Sequence, residues 1–221
     1  MRLSFAGRNS ELEQLRTLYL QGRHVLIVGP PRIGKTALLN EFRTRAPLLV
    51  CKDTSKLTSI CSGLEQELGR SHLGLSVFER KRRLLAHFEK LGQPIAFDHV
   101  THTSQQIARL MARLAQHVPV WIACRSEMPY KIGRIWEHLS QFVQLHLSPL
   151  KKSDTRILVS QVIGSGALHS DILNHVDALY RISKGSPRLL EQLLTELSAR
   201  QHNIGTSFRR SLLALDRRFS E

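Results

Sequence analysis

The chain has 221 residues, 42% of them apolar and 23% charged, which is the balance of a globular protein and not of a disordered or fibrous one. No apolar run approaches the roughly 20 residues that a membrane helix needs. The three cysteines, Cys51, Cys61 and Cys124, are odd in number and form no C-x-x-C pair, so they read as reduced, mostly buried thiols. Lysine and arginine total 32 against 18 acidic residues, a formal charge of +14 that favours polyanionic partners. Charge alone does not separate DNA, RNA and an acidic protein surface, and a solvated basic exterior is the plain alternative.

Residues 1–8 carry no signal-peptide core, and a cytoplasmic location is expected. Ser10 and Glu13 have capping-box spacing, and Leu12, Leu15, Leu18 and Tyr19 recur at helical intervals, predicting a helix over 10–21 that Gly22 ends. The apolar run 24–28 then leads into Gly29-Pro30-Pro31-Arg32-Ile33-Gly34-Lys35-Thr36, and Ala37 continues into a helix that stops before Pro47. Strand, glycine loop and helix form the context in which G-x-x-x-x-G-K-[ST] binds phosphate. The glycines let successive N–H groups curl toward an anion, and the helix N-terminus adds its positive field. Lys35 is expected to reach the outer phosphates and Thr36 to bind Mg²⁺. A nucleoside triphosphate is the expected ligand.

Beyond the loop, short apolar strands are predicted at 48–51, 94–98, 118–124 and 142–147. Helices are predicted at 57–68, 77–91, 104–117 and 132–139. Such alternation implies an α/β fold, a parallel sheet covered on both sides. From Ser148 onward only helices are expected, at 153–163, 168–183, 187–201 and 206–219. The domains are therefore 1–148, with 1–22 as its leading segment, and a small helical subdomain at 149–221. Basic clusters stand at Arg80-Lys81-Arg82-Arg83, Lys151-Lys152, Arg209-Arg210 and Arg217-Arg218.

Asp98, a carboxylate ending an apolar strand, is the expected partner of Thr36 in the Mg²⁺ shell. His99 follows it. An imidazole accepts a proton but lacks a carboxylate's fixed negative charge, so turnover is expected to be slow, or to depend on Glu127 or on a neighbouring molecule. His99 and His102 can also be read as metal ligands, but no third ligand stands at a recognised spacing. Arg125, just past the strand 120–124, has the chemistry to sense a γ-phosphate by bidentate hydrogen bonding. Gly185-Ser186-Pro187-Arg188 opens an apolar helix; Ser before Pro is ordinary helix-start chemistry, while Gly185 and Arg188 make nucleotide contact attractive.

Taken together, these segments resemble the AAA+ and STAND-type P-loop ATPases, over residues 5 to about 201. Phe5-Ala6-Gly7-Arg8-Asn9-Ser10-Glu11-Leu12 is similar to the segment that borders the adenine in that group, which implies a nucleotide contact for Gly7 and Arg8. Residues 29–36 match Walker A, 95–98 match Walker B, and Arg125 falls at sensor 1. Residues 185–188 resemble the G-x-P motif of STAND proteins, with Pro187 and Arg188 at the nucleotide. The resemblance implies a P-loop three-layer sandwich with a helical lid, and an ATP- and Mg²⁺-dependent switch. It further implies ATP-driven homo-oligomerisation, a protein partner, and DNA as the polyanion. Many hydrolytic relatives carry Glu where His99 stands. Arg134 is the candidate arginine finger. The competing functions are a non-hydrolysing ATP-binding regulator and a small-molecule P-loop kinase. A GTPase and an ABC-type ATPase are disfavoured, because neither Asn-Lys-x-Asp nor Leu-Ser-Gly-Gly-Gln occurs.

Overall fold

A computed structural model describes residues 3, 5–70 and 74–199. The elements run α1 (Asn9–Leu20), β1 (Val25–Val28), α2 (Lys35–Arg43), β2 (Leu49–Cys51), α3 (Leu57–Glu67), α4 (Val77–Leu91), β3 (Ile95–Val100), α5 (Gln105–Ala115), β4 (Val120–Cys124) and α6 (Pro129–Ile132). A 3-10 helix at Arg134–Gln141, β5 (Val143–His146), α7 (Lys152–Gly164), a second 3-10 helix at Ser170–His175, α8 (Val176–Ser183) and α9 (Pro187–Ala199) follow. The helix expected at 206–219, the end of the one expected at 187–201, and the pairs Arg209-Arg210 and Arg217-Arg218 lie outside the described residues.

The five strands form one parallel sheet in the order β2-β3-β4-β1-β5. β1 and β4 are buried along their whole length, as strands covered on both faces must be, and this explains their unbroken apolar sequences. β1 lies between β4 and β5, with Val25 opposite both Trp121 and Val143. That order brings the carboxyl ends of β1, β3 and β4 side by side, the edge where α/β sheets carry their ligands. On the sheet's flank, the Phe42 ring of α2 packs at a tilt 4.9 Å from that of Trp121 of β4, and Tyr19 of α1 closes the cluster at 5.5 and 6.4 Å from those rings.

By compactness the chain divides into two units: residues 10–31 with 35–147, and residues 1–9, 32–34 and 148–221. The first contains the whole sheet. In the second, Leu158 and Val159 of α7, Leu179 of α8 and Leu190, Leu193 and Leu194 of α9 make a separate apolar core. Among the described residues no helix is long and apolar enough to cross a membrane.

Several local expectations differ from the structure. α1 begins at Asn9, so Ser10 lies inside the helix, and its hydroxyl donates to Glu11 (2.7 Å). The capping box instead stands on α4, where the Ser76 hydroxyl accepts from the Glu79 amide and the Glu79 carboxylate accepts from the Ser76 amide (3.1 Å). The helix expected at 132–139 is replaced by the short α6 and a 3-10 helix. Between them Gly133 takes φ 75°, ψ −152°, and a Cβ there would lie 2.4 Å from the Thr103 nitrogen. That backbone contact is open to glycine alone. The helix expected at 168–183 likewise divides into the 3-10 turn at Ser170–His175 and α8.

Candidate nucleotide and cation site

The loop 29–36 leaves the end of β1, where the Gly29 amide donates to the Cys124 carbonyl (3.3 Å). Arg32 has φ 65° and Gly34 φ 103°. The left-handed region costs an L-residue about 1–2 kcal/mol, and backbone that alternates it with ordinary turn geometry is the kind that forms anion-binding concavities. Gly29, Ile33 and Lys35 are buried, Gly34 and Thr36 half-buried, and Pro30, Pro31, Arg32 and Ala37 exposed.

Lys35 opens α2 with its ammonium donating to the Gly29 carbonyl at 2.5 Å and the Pro30 carbonyl at 2.9 Å. Burial holds its pKa below the ordinary lysine value and Arg125 adds to that, while Cys124 and Asp98 oppose it. A buried cation is thus fixed against the loop backbone. Next to it, the Thr36 hydroxyl donates to Asp98 Oδ2 at 2.7 Å. Asp98 is fully buried, and its Oδ1 accepts from the His99 amide at 2.8 Å. A hydroxyl beside a carboxylate is a hard oxygen set of the kind Mg²⁺ takes. The residues present therefore fit a magnesium–triphosphate: 29–36 for the phosphates, Thr36 and Asp98 for the cation.

His99 has φ 55° inside β3, where the register against β4 slips between Phe97 and Val100. Its imidazole, 69% exposed, comes within 3.3 Å of the Thr36 hydroxyl and 3.4 Å of Asp98 Oδ2. Arg125 is exposed at the end of β4, close enough to act on Lys35. His102 is exposed, and no group of three His, Cys, Asp or Glu side chains gathers among the described residues. A concavity of about 410 Å³ lies elsewhere, lined by residues including Val50, Lys52, Asp53, Ser59 and Glu67, and it contains none of these groups.

Other residues singled out in the sequence have protein partners. Arg8 is buried, and its guanidinium donates to the Ile33 carbonyl (3.0 Å) and the Ser148 carbonyl (2.8 Å). Gly7, at φ 73°, leaves no room for a Cβ, which would lie 2.6 Å from Asp154 Cβ. Asp154 in turn accepts from the Lys151 amide at the start of α7. Gly185 packs against the backbone of Leu150, whose amide donates to its carbonyl at 2.9 Å. The Ser186 hydroxyl accepts from the Leu189 amide (3.4 Å), capping α9, and donates to the Arg32 carbonyl (3.0 Å). Pro187 takes the first position of α9, half-buried. The exposed Arg188 pairs with the half-buried Glu191 at 3.3 Å, and Arg134 with Glu137 at 3.0 Å on exposed surface.

The basic clusters are less uniform than the sequence implies. Arg80 turns inward from α4 and grips Glu65 of α3 with two bonds, 2.9 and 2.6 Å. Arg82 and Arg83 remain exposed, Lys81 lies over the Phe78 ring at 5.6 Å, and Lys152 pairs with Asp177 at 2.7 Å. The cysteines are buried and free; burial pushes the Cys51 thiol up to about 12 and the Cys124 thiol up to about 11.

No protein-family model and no curated protein matches this chain. Solved structures do. The Orc1 protein of Aeropyrum pernix, solved in complex with DNA, superposes with a TM-score of 0.68 at 17% identity over 97% of this chain and 65% of that one. Cdc6p from Pyrobaculum aerophilum gives 0.65 at 16% identity, over 90% and 62%. A STAND protein with a tetratricopeptide-repeat sensor from Pyrococcus horikoshii gives 0.56 at 17%, over 98% of this chain and 32% of that one. The chain thus spans less than two thirds of the length of each of these three. At this identity the likeness is one of fold.

Proposed function

We propose that this chain, whose fold is that of the AAA+ and STAND P-loop ATPases, is an ATPase that uses Mg·ATP as a conformational switch. The observation that carries the reading is the convergence of the buried Lys35 ammonium and the Thr36–Asp98 hydrogen bond at one end of the sheet. In this reading the amides of 29–36 and the Lys35 ammonium hold the phosphates. Thr36 and Asp98 hold Mg²⁺, which when bound neutralises charge on the phosphate oxygens. Arg125 senses the outer phosphate. Arg8 acts indirectly, since its bond to the Ile33 carbonyl fixes the loop's shape. Pro187 and Arg188 belong to the subdomain 149–221, which responds to the bound nucleotide.

Hydrolysis is slow in this reading, because an imidazole stands where hydrolytic relatives carry a carboxylate. The same observation supports the second reading, a non-hydrolysing regulator. DNA engagement and ATP-driven self-assembly are the finer parts of the proposal. The net charge of +14 supports the first, together with the DNA bound to the Orc1 protein of similar fold. Light scattering with and without Mg·ATP tests assembly: a rise in mass is expected, and equal masses refute it. Retention on duplex DNA should fall steeply as salt rises, and no retention at low salt removes DNA from the proposal.

A further inference from the structure

A strand that ran on regularly through Asp98 would send the next side chain to the opposite face of the sheet. The slip in β3 prevents this. With φ 55° at His99, the imidazole turns back to the side of Asp98, and its Nε2 stands 3.3 Å from Thr36 Oγ1. Histidine takes this backbone more readily than most non-glycine residues, but still at a cost that glycine does not bear. A conformation disfavoured for its residue and located at a functional site is a reason to look for a task.

The task is suggested by spacing. Adjacent ligands of an octahedral cation with bonds near 2.1 Å stand about 3 Å apart. The Thr36 hydroxyl and His99 Nε2 have close to that separation, and Asp98 holds the hydroxyl and the backbone that carries the imidazole: Oδ2 accepts from the Thr36 hydroxyl and Oδ1 from the His99 main-chain amide. A carboxylate that holds a ligand group by a hydrogen bond is a usual support of a metal site. We infer that His99 supplies a nitrogen ligand to the cation that accompanies the nucleotide, so that the site favours a nitrogen-accepting ion such as Mn²⁺ over Mg²⁺. This rests on the Mg·ATP reading above and adds to it a ligand and a metal preference. His99 thus joins Thr36 and Asp98 around the cation, and the site does not need a cluster of three acidic, histidine or cysteine side chains.

The test is pulsed EPR on the whole chain with Mn²⁺ and a non-hydrolysable ATP analogue, alongside Mg²⁺ competition. The wild type is expected to show the nitrogen modulation of a directly bound imidazole. His99→Gly, which accepts the same φ, and His99→Asn should lose the modulation. In both, the Mg²⁺ needed to displace Mn²⁺ should fall tenfold or more. Tight Mn²⁺–nucleotide binding by the wild type without nitrogen coupling overturns the ligand assignment and leaves the ATP reading intact. Failure of the wild type to bind nucleotide with either ion overturns both. The wild-type spectrum decides even if a variant does not fold.

Discussion

Thr36 and Asp98, separated by 62 positions in the chain, are joined by a 2.7 Å hydrogen bond from hydroxyl to carboxylate. The bond ties the first turn of α2 to β3, at the point where its register slips. It forms because β1 and β3 flank β4 in the same parallel sheet, so both strands present their carboxyl ends at one edge. The proposed cation site thus follows from strand order as much as from the residues themselves.

The first prediction concerns turnover. A positioned general base contributes of the order of 10²- to 10⁴-fold in rate, and the proposed reading is that His99 stands where hydrolytic relatives carry a carboxylate in that role. His99→Glu is expected to raise Mg·ATP hydrolysis by tenfold or more in a phosphate-release assay. An unchanged rate shows that the missing carboxylate is not what limits turnover.

A second prediction follows from Arg80. Its guanidinium satisfies both oxygens of Glu65, whose side chain is only 6% exposed. Removing the guanidinium takes two charge-assisted hydrogen bonds from that buried carboxylate, at a cost of about 1.5–3 kcal/mol. Arg80→Ala should therefore lower stability by that order in chemical denaturation. Arg82→Ala and Arg83→Ala, on exposed surface, should stay within about 0.5 kcal/mol. A mild Arg80→Ala would mean that α3 and α4 do not depend on the pair.

The third prediction is one of pH. His24 Nδ1 accepts from the Val120 amide at 3.0 Å, and its ring lies 5.1 Å from that of Phe142. Burial first, and the Arg23 charge second, hold its pKa below the ordinary 6.5. Between the folded value and 6.5 the unfolded chain binds more protons, so stability rises with pH. The contribution is complete above 6.5 and is lost as pH falls through the folded value. Denaturation midpoints measured downward from pH 7 should decline more for the wild type than for His24→Gln. Parallel declines would remove His24 from the acid sensitivity of the fold.

Much of the fold and part of the candidate site can be read in the sequence. The run 24–28, the spacing of Gly29, Gly34 and Lys35, and the apolar strand ending in Asp98 are local patterns, and the parallel α/β sheet follows from them. What could not be read depends on tertiary contact. The strand expected to end at Asp98 runs on to Val100 through a register slip that nothing in Phe97-Asp98-His99-Val100 announces. Gly133 reads as a tolerated residue within a helix until Thr103 is seen against it. Gly7 and Gly185 read as nucleotide contacts, and each has a close neighbour in the protein that by itself accounts for glycine. Arg80 sits in a basic run that reads as surface, yet its partner Glu65 lies one helix earlier. The capping spacing at Ser10 and at Ser76 is equivalent in sequence, and only the second becomes a cap, because α1 has already begun one residue before Ser10.

The central claim is that the loop 29–36 and the Lys35 ammonium bind triphosphate. Titration calorimetry of Mg·ATP into the wild type and Lys35→Ala tests it most directly. A hydrogen bond to a charged group is worth about 1.5–3 kcal/mol, so the wild type should bind one nucleotide per chain and Lys35→Ala should bind at least tenfold more weakly. No binding heat in the wild type at several temperatures, or equal affinity in the two proteins, would contradict it.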